Sequence, residues 1–115
     1  MPEDLGVAEL IQARTVARKA ARKFRDRARA ARQADCDAIA DLYDDAKGDA
    51  LAQASEASRL AGGALVNPTG PKVAKLTAAT DRLEARLQNL RDTEEDLRDV
   101  ASVLNIFTNA ISLFT

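Results

Sequence analysis

Ala61–Lys72 reads AGGALVNPTGPK, and this stretch decides how the rest of the chain folds. Gly62 and Gly63 suit the end of a helix, where a residue in the left-handed region closes the last turn. Pro68 and Pro71 cannot continue that helix, but Pro71 fits the first turn of a following one, with Thr69 or Gly70 as its cap. The stretch therefore predicts a turn over residues 62–70 between a first helix over about 3–61 and a second over about 71–114.

Composition agrees. Ala, Leu, Arg, Glu, Lys and Gln dominate the chain of 115 residues, and strand formers are scattered singly. The fold class read from this is all-α, a long helical hairpin in one domain. The apolar fraction of 46% overstates the core, since 24 of those residues are alanines. Alanine buries little area, so a lone chain has few large side chains to pack, and help from a second chain is expected.

The second helix carries a heptad seam of Leu76, Leu83, Leu90, Leu97, Leu104 and Ile111, with Thr80, Leu87, Val100, Ala101 and Phe107 in neighbouring stripe positions. Glu94 is the one residue that fits this stripe poorly. Such a repeat predicts supercoiled packing in a bundle or coiled coil. The first helix is built on small residues: Ala13, Ala17, Ala20, Phe24, Ala28, Ala31, Ala38 and Leu42. QADCD at Gln33–Asp37, and Asp44, Asp45 and Gly48, are possible bends. No proline accompanies them, so continuity is expected.

With the turn centred near Asn67, Leu51 faces Leu83 and the charge-free tail Ser102–Thr115 lies on the alanine face of residues 19–32. Large side chains of the tail then fill the gaps that alanines leave. Residues 1–18 overhang the hairpin by about 27 Å at 1.5 Å per residue, and they include Leu5, Val7, Leu10, Ile11 and Val16. Residues 14–32 hold nine Arg or Lys against Asp26, whereas residues 35–49 hold six Asp against Lys47. A helix that is basic in one half and acidic in the other complements itself when two copies run antiparallel about Gln33. The expected assembly is an antiparallel homodimer forming a four-helix bundle. Its self-association or partner interface is assigned to Leu10, Ala17, Ala20, Phe24, Ala28, Ala31, Leu104, Phe107, Ile111 and Phe114.

Few chemistries are legible. The chain has no His, and its single Cys36 lacks a base, so no catalytic residue, cofactor or metal site is expected. Cys36 reads as a small residue near the packing face. The carboxylates Asp37, Asp41, Asp44, Asp45 and Glu94, Glu95, Asp96, Asp99 read as solvated faces pairing with arginines. Arg14, Arg18, Arg22, Arg25, Arg29 and Arg32 step by three or four and share one helical face, a pattern that can track phosphates. No aromatic residue is interleaved for base stacking.

The uncharged tail Val100–Thr115 is shorter than the about 20 residues of a spanning helix and holds Ser102, Asn105, Thr108, Asn109 and Ser112. No secretory signal is read at the start, and a cytoplasmic location is assigned by default. The NPTGP turn between two helices, followed by an uncharged end, resembles the hairpin of type III secretion needle subunits over Asn67–Pro71. The first helix is longer and more basic than in that family, and no residue role is carried over. The leading expectation is a non-enzymatic assembly or adaptor protein acting through helix–helix contacts. The alternative is a nucleic-acid or other polyanion-binding module using residues 14–32, and the third is peripheral membrane association through the C-terminal helix.

Overall fold

The computed structural model describes residues 6–63 and 70–114. All regular structure among them is helical: α1 (Val7–Gln33), α2 (Asp37–Gly62), α3 (Gly70–Leu87) and α4 (Glu94–Ser112). Each of the two long helices expected from the sequence is thus broken once, the first at residues 34–36 and the second at residues 88–93. The Pro-containing turn lies largely outside the described residues.

The first break is a helix stop built without glycine or proline. Asp35 stands in the left-handed region at φ 60°. The amide of Cys36 reaches back to the Ala31 carbonyl at 2.8 Å, and that of Asp35 to the Arg32 carbonyl at 3.1 Å. This pair of backward bonds is the Schellman closure, which normally favours glycine at the left-handed position. An aspartate tolerates that conformation better than most residues, though still at a cost. Asp35→Gly is accordingly expected to stabilise the protein by about 0.5–1 kcal/mol, read as a higher urea midpoint at unchanged slope. A lower midpoint would show that the Asp35 side chain contributes more than its backbone strain removes.

The second break is a helix start. Thr93 caps α4, its Oγ1 accepting from the Asp96 amide at 3.1 Å, and the Asp96 carboxylate accepts from the Arg91 amide at 2.9 Å. Thr93 and Asp96 have the spacing of a capping box. Glu94, Glu95 and Asp96 occupy the first turn, where the helix dipole favours negative charge. Glu94, the misfit of the heptad stripe, is the first residue of a new helix. Leu90 lies in the connecting turn and is still buried, and the other five seam residues are buried on α3 and α4.

α1 packs on α2 and α3, and α4 packs on α3 and α2. The chain is therefore two antiparallel hairpins, α1–α2 and α3–α4, laid face to face. Lys19 pairs with Glu84 at 3.7 Å and Arg27 with Asp92 at 2.8 Å, so α1 and the second hairpin run with a constant offset. This corrects the expected register: the tail packs mainly against α3 and α2 rather than against residues 19–32. The alanine face of α1 and the large tail residues nevertheless meet in one core, which includes Ala17, Ala20, Phe24, Leu104, Phe107 and Ile111.

The described part of the overhang, residues 6–18, also finds cover within the chain; Leu5 lies outside the described residues. Leu10 and Val16 are buried, although Ile11 remains 41% exposed. Part of the charge match expected between two chains, that of Arg32, occurs within one, since α1 folds back antiparallel on α2. Arg32 Nη2 lies 3.2 Å from Asp41 and 2.6 Å from Asp44. Ala38 and Ala101, expected on packing faces, are exposed, as is Cys36 at the start of α2.

Candidate anion-binding ridge

α1 is a helix of alanines and arginines whose two faces separate cleanly. Ala13, Ala17, Ala20, Ala21, Phe24 and Ala28 are buried, which turns the arginines between them outward. Arg18, Arg22, Arg25 and Arg29 are all exposed, and they step by four, three and four. They run for about 16 Å along α1 at 1.5 Å per residue. A shallow groove of about 510 Å³ follows them, lined by Arg18, Ala21, Arg22, Arg25, Lys47 and Leu51. A second groove continues it past Arg29 to Arg32 and Gln33, with Asp44 of α2 also in its lining. Lys47 of α2 borders both, so the cationic surface straddles the outer side of the first hairpin.

The six arginines proposed for polyanion binding do not behave alike. Arg18, Arg22 and Arg29 have no ion-pair partner among the described residues. Arg25 has only its neighbour Asp26, at 3.3 Å and well exposed. Arg32 is tied to Asp44 and Asp41; the hydrogen bond its guanidinium donates to the Asp44 carboxylate is the main reason its pKa is raised. Arg14 is half-buried, and its Nη1 lies 3.5 Å from Ser58 Oγ. The usable set is therefore Arg18, Arg22, Arg25 and Arg29, with Lys47 beside them.

The residues assigned to a self-association interface lie elsewhere. Leu10, Ala17, Ala20, Phe24, Ala28, Leu104, Phe107, Ile111 and Phe114 are buried in this chain's own core, and Ala31 packs at its edge. In this fold their contacts are intramolecular. The apolar side of α4 is likewise enclosed, and no helix among the described residues is long and apolar enough to cross a membrane.

Two polar nodes had no part in the sequence reading. Tyr43, fully buried on α2, donates its hydroxyl to Asp92, whose other oxygen accepts from Arg27 at 2.8 Å. Burial and this hydrogen bond raise the Tyr43 phenol above its ordinary range. The node ties both helices of the first hairpin to the turn of the second, and Phe24 stacks nearby with ring centroids 6.0 Å apart. The other node is Arg86, whose guanidinium meets Asp96, Asp99 at 2.8 Å and the Asn89 carbonyl at 2.8 Å. The T-x-x-D spacing of Thr93 and Asp96 was the signal for the second node. Nothing in the sequence marks the first.

Among the described residues, no group of three or more His, Cys, Asp or Glu side chains converges as a cation site. Asp41 and Asp44 serve Arg32, Asp96 and Asp99 serve Arg86, and Glu94 serves Arg98 at 2.7 Å. Comparison with protein-family models, with curated proteins and with solved structures gives no match for this chain.

Proposed function

We propose that this protein is a non-enzymatic helical module that holds a phosphodiester polyanion, a nucleic-acid strand, along Arg18, Arg22, Arg25 and Arg29. One observation carries the reading. A protein of net charge −1 pairs many of its charges internally yet leaves these arginines in a row on one face. A helix of this composition could have placed acids between them; α1 offers only Asp26 there. Contacts of this kind neutralise phosphates without reading bases, since backbone contacts position a ligand and carry no sequence information. The ridge length of about 16 Å corresponds to roughly five base-pair steps along a duplex axis at about 3.4 Å each.

Neutral variants test this directly. Arg22 and Arg29 make no ion pair among the described residues, so Arg22→Gln/Arg29→Gln should leave the thermal midpoint within a degree or two. The dependence of oligonucleotide affinity on salt should flatten by about two logarithmic units per decade, one for each phosphate contact removed. An unchanged slope would place binding on another surface.

A further inference from the structure

The outer side of the second hairpin is unlike the rest of the surface. Ala101, Ser102, Asn105, Ile106, Asn109 and Ser112 of α4 are all exposed and none is charged, in a chain where 30% of residues are charged. Ile106 is 42% exposed. It lines a groove of about 450 Å³ between α3 and α4 together with Lys75, Ala78, Arg82, Asn109 and Leu113. Lys75 stands at one end of the groove, and Arg82 lies seven residues further along α3. Glu95 and Asp99 stand near the start of α4, where Asp99 is held by Arg86 at 2.8 Å and Glu94 by Arg98 at 2.7 Å. Lys75, Arg82 and Glu95 have no ion-pair partner among the described residues.

We infer that this face binds a second copy of the chain, α4 against α4 in antiparallel orientation about a two-fold axis between Ser102 and Ile106. Glu95 and Leu113 lie equally far from that midpoint along α4, about 14 Å each way at 1.5 Å per residue. A half-turn therefore carries Glu95 of the second copy to the level of Leu113, where Lys75 waits. A two-fold interface must be self-complementary, and a face with unpaired Lys75 toward one end, an uncharged stretch of α4 in the middle and unpaired Glu95 toward the other meets that condition. An acidic peptide would satisfy Lys75 and Arg82 but would leave Glu95 facing its own charge.

The size of the face sets the strength. It covers on the order of 1,000 Å² for the pair, near the lower limit of specific interfaces, so the dimer is concentration-dependent. The neutral middle is what such a contact needs, because Ser and Asn lose little on being covered when they can bond across it. The arrangement also leaves the arginine ridge free, since that ridge lies on the first hairpin, on the far side of the molecule. A dimer built this way carries one ridge on each outer surface. The inference does not depend on what the ridge binds.

Sedimentation equilibrium of the full chain over a wide concentration range tests it. The mass should rise from 12.4 kDa toward twice that value. Ile106→Asp, at an exposed position, and Lys75→Glu should each raise the dissociation constant about tenfold or more, with helical content unchanged by circular dichroism. The double exchange Lys75→Glu/Glu95→Lys should bring it back to within a few-fold of the parent. A monomer at every concentration would overturn the inference. So would a dimer indifferent to Ile106→Asp, or a charge exchange that fails to restore association.

Discussion

A chain truncated after Asp99 is expected to lose its cooperative unfolding transition altogether. The removed segment contributes Val100, Val103, Leu104, Phe107, Ala110, Ile111 and Phe114, all buried. Burying one large apolar side chain contributes about 1.5–3 kcal/mol, and a domain of this size has only about 5–15 kcal/mol in total. Loss of the segment therefore exceeds the whole stability. It also uncovers Leu76, Leu83 and Leu87 of α3, which rest on α4. Far-UV circular dichroism during urea titration should show reduced helicity and a gradual slope without a midpoint. A truncated chain that unfolds cooperatively near the parental midpoint would mean that α4 is an appendage.

Arg86→Met should be the most damaging single substitution of a charged residue, at about 3 kcal/mol near neutral pH. Methionine keeps the apolar stem but removes the guanidinium that meets Asp96 and Asp99 and satisfies the Asn89 carbonyl. Asp96, whose side chain is only 9% exposed, would keep the Arg91 amide as its hydrogen-bond partner without a countercharge. Burial by itself pushes the Asp96 carboxyl upward in pKa. The Arg91 amide and the Arg86 guanidinium outweigh it, and the group sits below the ordinary carboxylate range.

The sign of the pH dependence follows. A carboxyl whose pKa is lower in the folded than in the unfolded chain stabilises the fold above the unfolded value of about 3.9. That contribution disappears as pH falls through the folded value. The gap in unfolding free energy between parent and Arg86→Met should thus be full at neutral pH and shrink below about pH 4. Urea titrations at several pH values measure it. A gap under about 1 kcal/mol, typical of an exposed pair, would contradict the burial assigned to this node.

The helical class and the buried leucines of the second half were legible from the sequence, whereas the two breaks, Tyr43 and the buried alanines of α2 were not. The heptad leucines continue in step through Leu90, so periodicity cannot reveal that the helix stops between Leu87 and Glu94. The contrary signals were local: Glu94 out of place, and Thr93 with Asp96 at cap spacing. At the first break QADCD was noted, but a stop made by an aspartate in the left-handed region has no glycine to announce it. Those two turns change the meaning of everything else. Continuous helices leave residues 1–18 uncovered and demand a second chain, whereas broken ones bury Leu10 and Val16 and pair Arg32 with Asp41 and Asp44 in the same molecule.

The same turns explain what happened to the candidate sites. Leu10, Phe24 and Phe107 have interface character in the sequence because core and interface share one composition, and only the chain path separates them. The arginine face was legible from spacing alone. What spacing could not supply was which arginines the acidic half claims. Folding at Asp35 gives Arg32 to Asp41 and Asp44, and leaves Arg18, Arg22 and Arg29 without an acidic partner among the described residues.

Salt dependence of polyanion binding by the intact protein tests the central claim most directly. Fluorescence anisotropy with a labelled duplex should give a logarithm of affinity that falls linearly with the logarithm of salt concentration. The slope should be about −3 to −4, as four neutralised phosphates require. Absence of binding at low salt, or an affinity that does not change with salt, would contradict the assignment of the α1 ridge as the functional surface.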